Sequence, residues 1–292
     1  MAVSGNRHVL RRMLPAFLIV ILFIYLINSS GRRIPLFGLE APPQRRSSYR
    51  VLKDCSTPYD TLLGVASGIP AYSNCHRRWR SEARAYVTLA LPHEIRKEPF
   101  HIGNQRQLST GNCWDAAEYI TRFYYLMRGL IFSYNALDVG EFWSTIEFSG
   151  ADGRNRQYEA VELPNLKAVK TAKERKRLAP RFADVVVWLP NPERDLPDGH
   201  AAVVVHVEDD VETAGGEAQL REMQKEHVQP QLVYIAEQNF DNKYWEGKNY
   251  SRVLRFSWKN GNEMLLQDPG DYHIIGRIRA GKLMHDIADD DL

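Results

Sequence analysis

The chain has 292 residues, 44% of them hydrophobic, enough to bury one good core and a second small one. Its formal charge of +2 is unevenly spread: of 38 basic and 36 acidic residues, the first fifty hold eight arginines and one acid, Glu40, leaving 30 basic and 35 acidic residues for the rest. A basic stem on a mildly acidic globule argues against a nucleic-acid-binding domain, which would carry its basic patch on the fold, and three cysteines are too few for a disulfide scaffold.

After a basic segment, 1–12, the stretch 13–31 carries no charge between Arg12 and Arg32. As a helix it would reach about 28 Å at ~1.5 Å per residue, close to the ~30 Å hydrocarbon core of a bilayer. It reads as an uncleaved transmembrane signal-anchor, which predicts a single-pass membrane protein on the secretory pathway or cell surface, or one facing the cytosol. A cleaved signal peptide is the alternative, because Arg11 and Arg12 precede the run and Asn28-Ser29-Ser30-Gly31 follows it. Residues 32–50, with Pro35, Pro42, Pro43 and further arginines, read as a linker. The globular domain is expected over 51–284, with a short acidic tail at 285–292. If that domain is lumenal, Cys55 and Cys75 could pair and leave Cys113 free. Asn-x-Ser sequons at Asn28 and Asn249 are compatible with that side.

Within the domain, Asn112 with Asp115 three residues on predicts a capped helix starting at Cys113. Ala116, Ile120, Phe123 and Met127 continue it at helical spacing, and Gly129 ends it. Gly140–Phe148 predicts a second, shorter helix. Downstream, Asp184–Leu189, Ala201–Val207 and Leu232–Ala236 are β-branched runs typical of buried strands. Arg252–Trp258 and Tyr272–Ile278 read as further strands, with a hairpin turn at Lys259-Asn260-Gly261. Residues 208–231, rich in Glu, Gln and Gly, read as an exposed insertion with a helical piece at Gln219–Lys225. The layout predicted is α+β, helices first and an antiparallel sheet afterwards.

Two polar residues interrupt the strand signals. His200 opens the run Ala-Ala-Val-Val-Val, and Glu237 closes Val-Tyr-Ile-Ala. At the start of one strand and the end of the next, an imidazole and a carboxylate can be antiparallel neighbours, the acid fixing the tautomer of the base. With a cysteine-bearing helix upstream, the order is that of papain-like thiol hydrolases.

Several segments then resemble one family, the CHAP domains, and most closely the amidase domain of glutathionylspermidine and trypanothione synthetases. They are Pro58-Tyr59-Asp60-Thr61-Leu62-Leu63-Gly64, Ala183-Asp184-Val185-Val186-Val187-Trp188, Gly199-His200-Ala201-Ala202-Val203, Ile235-Ala236-Glu237-Gln238-Asn239 and Tyr250-Ser251-Arg252. The resemblance implies a papain-like CHAP fold, N-terminal helices packed on an antiparallel sheet, and hydrolysis of an amide between a glutathione-like peptide and a polyamine. It implies catalytic roles for His200 and Glu237 and substrate contacts for Asp115, Asn239 and Arg122.

The departure is at the nucleophile. With Trp114, Glu118, Tyr119, Arg122 and Phe123 in register, the family's cysteine falls on Ala116, and the glutamine before it on Asp115. A carboxylate there would repel a developing oxyanion. Cys113, three residues early, would sit about 5–6 Å from the required position, although a helix N-terminus would lower its pKa. The first expectation is therefore a catalytically degenerate, membrane-tethered amidase-like protein that binds a peptide, a glutathione–polyamine conjugate or a protein ligand. The second is an active thiol amidase or endopeptidase using Cys113; the third is a membrane scaffold. No metal-ligand spacing, phosphate-binding loop or serine elbow appears, so no metal or cofactor is expected.

Overall fold

The computed structural model describes residues 55–100, 107–133, 141–154 and 156–286. The segments 1–12, 13–31 and 32–50 and the sequon at Asn28 lie outside the described residues. Among those described, no helix is long and apolar enough to cross a membrane. The longest, α1 (Ala116–Arg128), has thirteen residues and carries Glu118 and Arg122. At ~1.5 Å per residue it reaches about 20 Å, short of the ~30 Å hydrocarbon core. Among the described residues the single-pass membrane expectation is therefore corrected to no membrane-crossing helix; its segment, 13–31, lies outside them.

The expected bank of N-terminal helices is also corrected: strands precede α1 instead. β1 (Leu62–Ala66) and β2 (Ile69–Tyr72) form a hairpin whose turn residues Ser67 and Gly68 both have positive φ, 51° and 79°. That is the backbone a two-residue hairpin favours. β3 (Arg84–Thr88) pairs with both β4 (Leu91–Arg96) and β5 (Gln107–Asn112) in a separate three-stranded sheet. A disulfide joins Cys55 to Cys75 ahead of this sheet.

Helix α1 starts three residues later than the local signals suggest. Asn112 still belongs to β5, paired with Arg84, so the ladder holds it extended. Asp115 is the N-cap, its carboxylate accepting the Ala116 N–H at 2.8 Å. Gly129 ends the helix in the left-handed region, as its position predicts. The described part of the helix expected at Gly140–Phe148 is not an α-helix: Glu141–Ser144 makes one 3₁₀ turn, and β7 (Glu147–Gly150) then pairs with β6 (Leu130–Ser133) and β8 (Arg156–Pro164).

The remaining strands are β9 (Val185–Trp188), β10 (His200–Asp209), β11 (Gln231–Ala236), β12 (Arg252–Lys259), β13 (Glu263–Gln267) and β14 (Ile274–Asp286). With β6–β8 they form an antiparallel nine-stranded sheet in the order β13-β12-β11-β10-β9-β14-β8-β7-β6. Its central strands are buried on both faces, which is why β9 and β10 read as continuous apolar runs. Val185, Val187, Ala201 and Val203 pack with Tyr119, Ile120, Phe123 and Tyr124 of α1. Val186, Trp188, Ala202 and Val204 pack on the other face with Val233, Leu254 and Phe240. Each large α1 side chain so buried contributes about 1.5–3 kcal/mol, enough to fix the helix on the sheet. Three short helices complete the fold: α2 (Ala172–Leu178), α3 (Val211–Ala214) and α4 (Glu217–Lys225). The last two lie within 208–231, between β10 and β11.

Candidate active-site cleft

His200 starts β10 and Glu237 follows β11, adjacent strands of the sheet. His200 Nε2 lies 2.7 Å from Glu237 Oε2, and both side chains are buried. The imidazole is held between the rings of Trp188 and Phe240, with centroids at 5.3 and 4.9 Å. Glu237 is fixed in turn: Oε1 accepts from Arg252 Nε at 2.6 Å and Ser251 Oγ at 3.1 Å, and Oε2 accepts from Arg252 Nη2 at 3.1 Å. Arg252 reaches on to Asp268, whose Oδ2 also accepts the Trp188 indole N–H at 2.9 Å. Burial disfavours the Glu237 carboxylate, but Arg252 and His200 outweigh it and hold the group well below the ordinary carboxylate range. The acid is therefore ionised and the base oriented, with Glu237 occupying Nε2 and Nδ1 left for another partner.

A small cleft opens at this imidazole. Asp115, Ala116, Asn239, His200, Arg77 and Arg80 line it, so Ala116 at the first position of α1 shares a cavity with His200. Its methyl group offers no nucleophile, and its N–H, the donor nearest that position, is taken by Asp115 Oδ1. Asn239 adopts a left-handed backbone, φ 57°, and its buried Oδ1 has no hydrogen-bond partner among the described residues. Arg77 is tied to Asp241, and Arg80 lies 3.5 Å from Asp198, so the rim carries both signs of charge.

Cys113 is elsewhere. It lies two residues before the N-cap, fully buried with Ala85 and Trp114 under Tyr59 and Tyr72, and it does not line the cleft. Burial, followed by Glu118, pushes its thiol up to about 11, the reverse of the depression a helix N-terminus would supply. Arg122 does not face the cleft either. It is fully buried, donating to Glu118 at 2.7 Å, to the Pro70 carbonyl at 2.6 Å and to Gln238 Oε1 at 3.0 Å. The sequence reading gave no role to Arg252, Ser251 or Asp268. The first two stood in a segment already quoted for its resemblance; Asp268 had no local signal. Among the described residues no three His, Cys, Asp or Glu side chains are grouped to hold a metal ion.

No family model matches the chain. It is 26% identical over 241 residues to a protein named glutathionylspermidine synthase from Crithidia fasciculata. The match covers 80% of this chain but 28% of that relative. The chain is thus distantly similar to a polyamine-conjugate enzyme, over a minor part of that enzyme's length.

Proposed function

We propose that this chain is an amidase-like domain of the CHAP type that binds a peptide or a glutathione–polyamine conjugate in the His200 cleft without cleaving it. The observation that carries this reading is the pairing of Ala116 with His200 across one cavity, while the cysteine nearest in sequence is buried outside it. A thiol hydrolase needs its sulfur within about 3–3.5 Å of the scissile carbon and next to its base. Here the base is positioned and the thiol is missing. Asp115 adds to the loss, since it occupies the Ala116 N–H and places negative charge where an oxyanion would form. The mixed-charge rim and the unpartnered Asn239 Oδ1 suit a ligand carrying carboxylates, ammonium groups and amide N–H donors. The distant similarity to glutathionylspermidine synthase supports the choice of ligand. A Cys113-based amidase is disfavoured by the burial and raised pKa of that thiol.

The test is to titrate the full chain with glutathionylspermidine by calorimetry and to follow hydrolysis in parallel. Wild type is expected to bind without turnover, Cys113→Ala to behave identically, and the Asp115→Gln/Ala116→Cys double variant to gain thiol-dependent hydrolysis. Turnover by the wild type that is lost in Cys113→Ala would overturn the proposal, and so would absence of binding.

A further inference from the structure

A second cavity, of about 380 Å³, lies outside the His200 cleft, bordered by Lys176, Arg181, His227, Gln229, Gln231 and Trp258. Its size falls at the small end of the range for small-molecule sites. None of these residues lines the cleft, and none is used in the reading above.

The cavity carries cationic charge that the protein does not neutralise. Around α2 stand Lys170, Lys173, Lys176 and Arg177, all exposed, with Glu174 the one acid of the helix, engaged in its N-terminal capping box. Arg277 and Arg279 both bind Asp184 and cap the carbonyls of Arg177, Leu178 and Ala179. That aspartate is therefore already matched. Arg181 spends one donor on the Lys176 carbonyl at 3.0 Å. Among the described residues neither Lys176 nor Arg181 forms a salt bridge, and the His227 ring has no hydrogen-bond partner. Burial first, and then the like charge of Arg279, lower the Arg181 pKa. The site is built and not merely rimmed by mobile side chains. Arg175, buried, clamps α2 to the turn after α4 through the Glu226 carbonyl at 2.8 Å, and this turn sets His227 in a left-handed backbone, φ 53°.

The same cavity also holds polar groups that want partners. Gln229 Oε1 and Gln231 Oε1 are buried acceptors with no partner among the described residues, and an unmet buried acceptor is costly to leave so. A ligand that answers both features brings an anionic group to the cations and hydrogen-bond donors to the glutamines. We propose that this cavity binds a phosphate monoester with a polar, donor-bearing body, the phosphate on Lys176, Arg181 and His227 and the body on Gln229 and Gln231. A dianion suits the doubled positive charge, and guanidinium and ammonium groups are the usual phosphate donors.

The full chain is titrated with adenosine monophosphate, inorganic phosphate and adenosine. The nucleotide and phosphate are expected to bind and adenosine not to. Lys176→Gln/Arg181→Gln should weaken both anions by roughly tenfold or more. Gln229→Ala/Gln231→Ala should weaken the nucleotide and leave phosphate unchanged. Should a variant fail to fold, amine acylation of Lys176 in the wild type, read by peptide mass mapping, is expected to slow when the nucleotide is present. No binding by the wild type, equal binding by the Lys176→Gln/Arg181→Gln variant, adenosine binding as tightly as the nucleotide, or unprotected Lys176 would each overturn the proposal.

Discussion

Two buried charge networks meet at consecutive residues, and they do opposite things. Glu237 belongs to one, with His200, Arg252, Ser251 and Asp268. Gln238 belongs to the other, with Glu118, Arg122 and the Tyr72 N–H. The Gln238 network is closed: Glu118 and Arg122 are wholly buried, Thr110 donates to Glu118 at 2.8 Å, and the Pro70 carbonyl takes another guanidinium proton. It locks α1 to β2 and offers nothing to a ligand. The Glu237 network leaves one member, His200, on a cavity. A buried ion pair in this fold is thus structural or site-forming according to whether its last partner reaches an opening.

The comparison breaks most visibly if the closed network is cut. Arg122→Leu leaves Glu118 as an uncompensated buried charge, and a loss of about 3–5 kcal/mol is expected in urea unfolding. A loss below about 1 kcal/mol would show that Arg122 is not the lock.

Arg252→Met tests the open network. It removes the main group holding Glu237 ionised, so a smaller but still large loss, about 2–4 kcal/mol, is expected near neutral pH because Arg252 is partly exposed. The sign of the pH dependence follows from the depressed Glu237 pKa. Its stabilisation is present above the unfolded carboxyl pKa of about 4.3 and disappears as pH falls through the lower folded value. Wild type should therefore lose stability on acidification below about pH 5, and Arg252→Met should show a flatter acid limb. Parallel acid limbs for the two proteins would contradict the assignment.

The smallest effect concerns Cys113. With its thiol near 11 and no exposure, it should react with a disulfide reagent at pH 8 only after denaturant is added. Fast labelling of the native protein would reopen a role for this cysteine.

How much of this was legible in the sequence varies with the range of the force involved. Strands β9–β12 and β14 were: β9 and the start of β10 are β-branched runs buried on both faces, and β12 alternates buried with exposed residues. Gly129 and the Asn260-Gly261 turn were legible too, both set by positive φ. Helix α1 was read three residues early because Asn112 carries a good local cap signal but is held in the β5 ladder by Arg84, a partner 28 residues away. Strands β1–β5 were missed for the same kind of reason: short, mixed-polarity segments become strands through pairing. Arg122 was expected to contact substrate on the family resemblance, which carries a residue's place in a motif but not what covers its side chain in this chain.

The sequence by itself determined the antiparallel sheet, the relation of His200 to Glu237, and the absence of a thiol at Ala116, since each depends on residue type and on order along two neighbouring strands. Only the tertiary structure decided that Ala116 and His200 share one cleft, that Cys113 lies buried away from it, that Arg252 anchors the acid and that Arg122 is locked inside. Those facts depend on which groups long-range packing removes from water, and burial fixes both the charge state of a side chain and the partners it can reach.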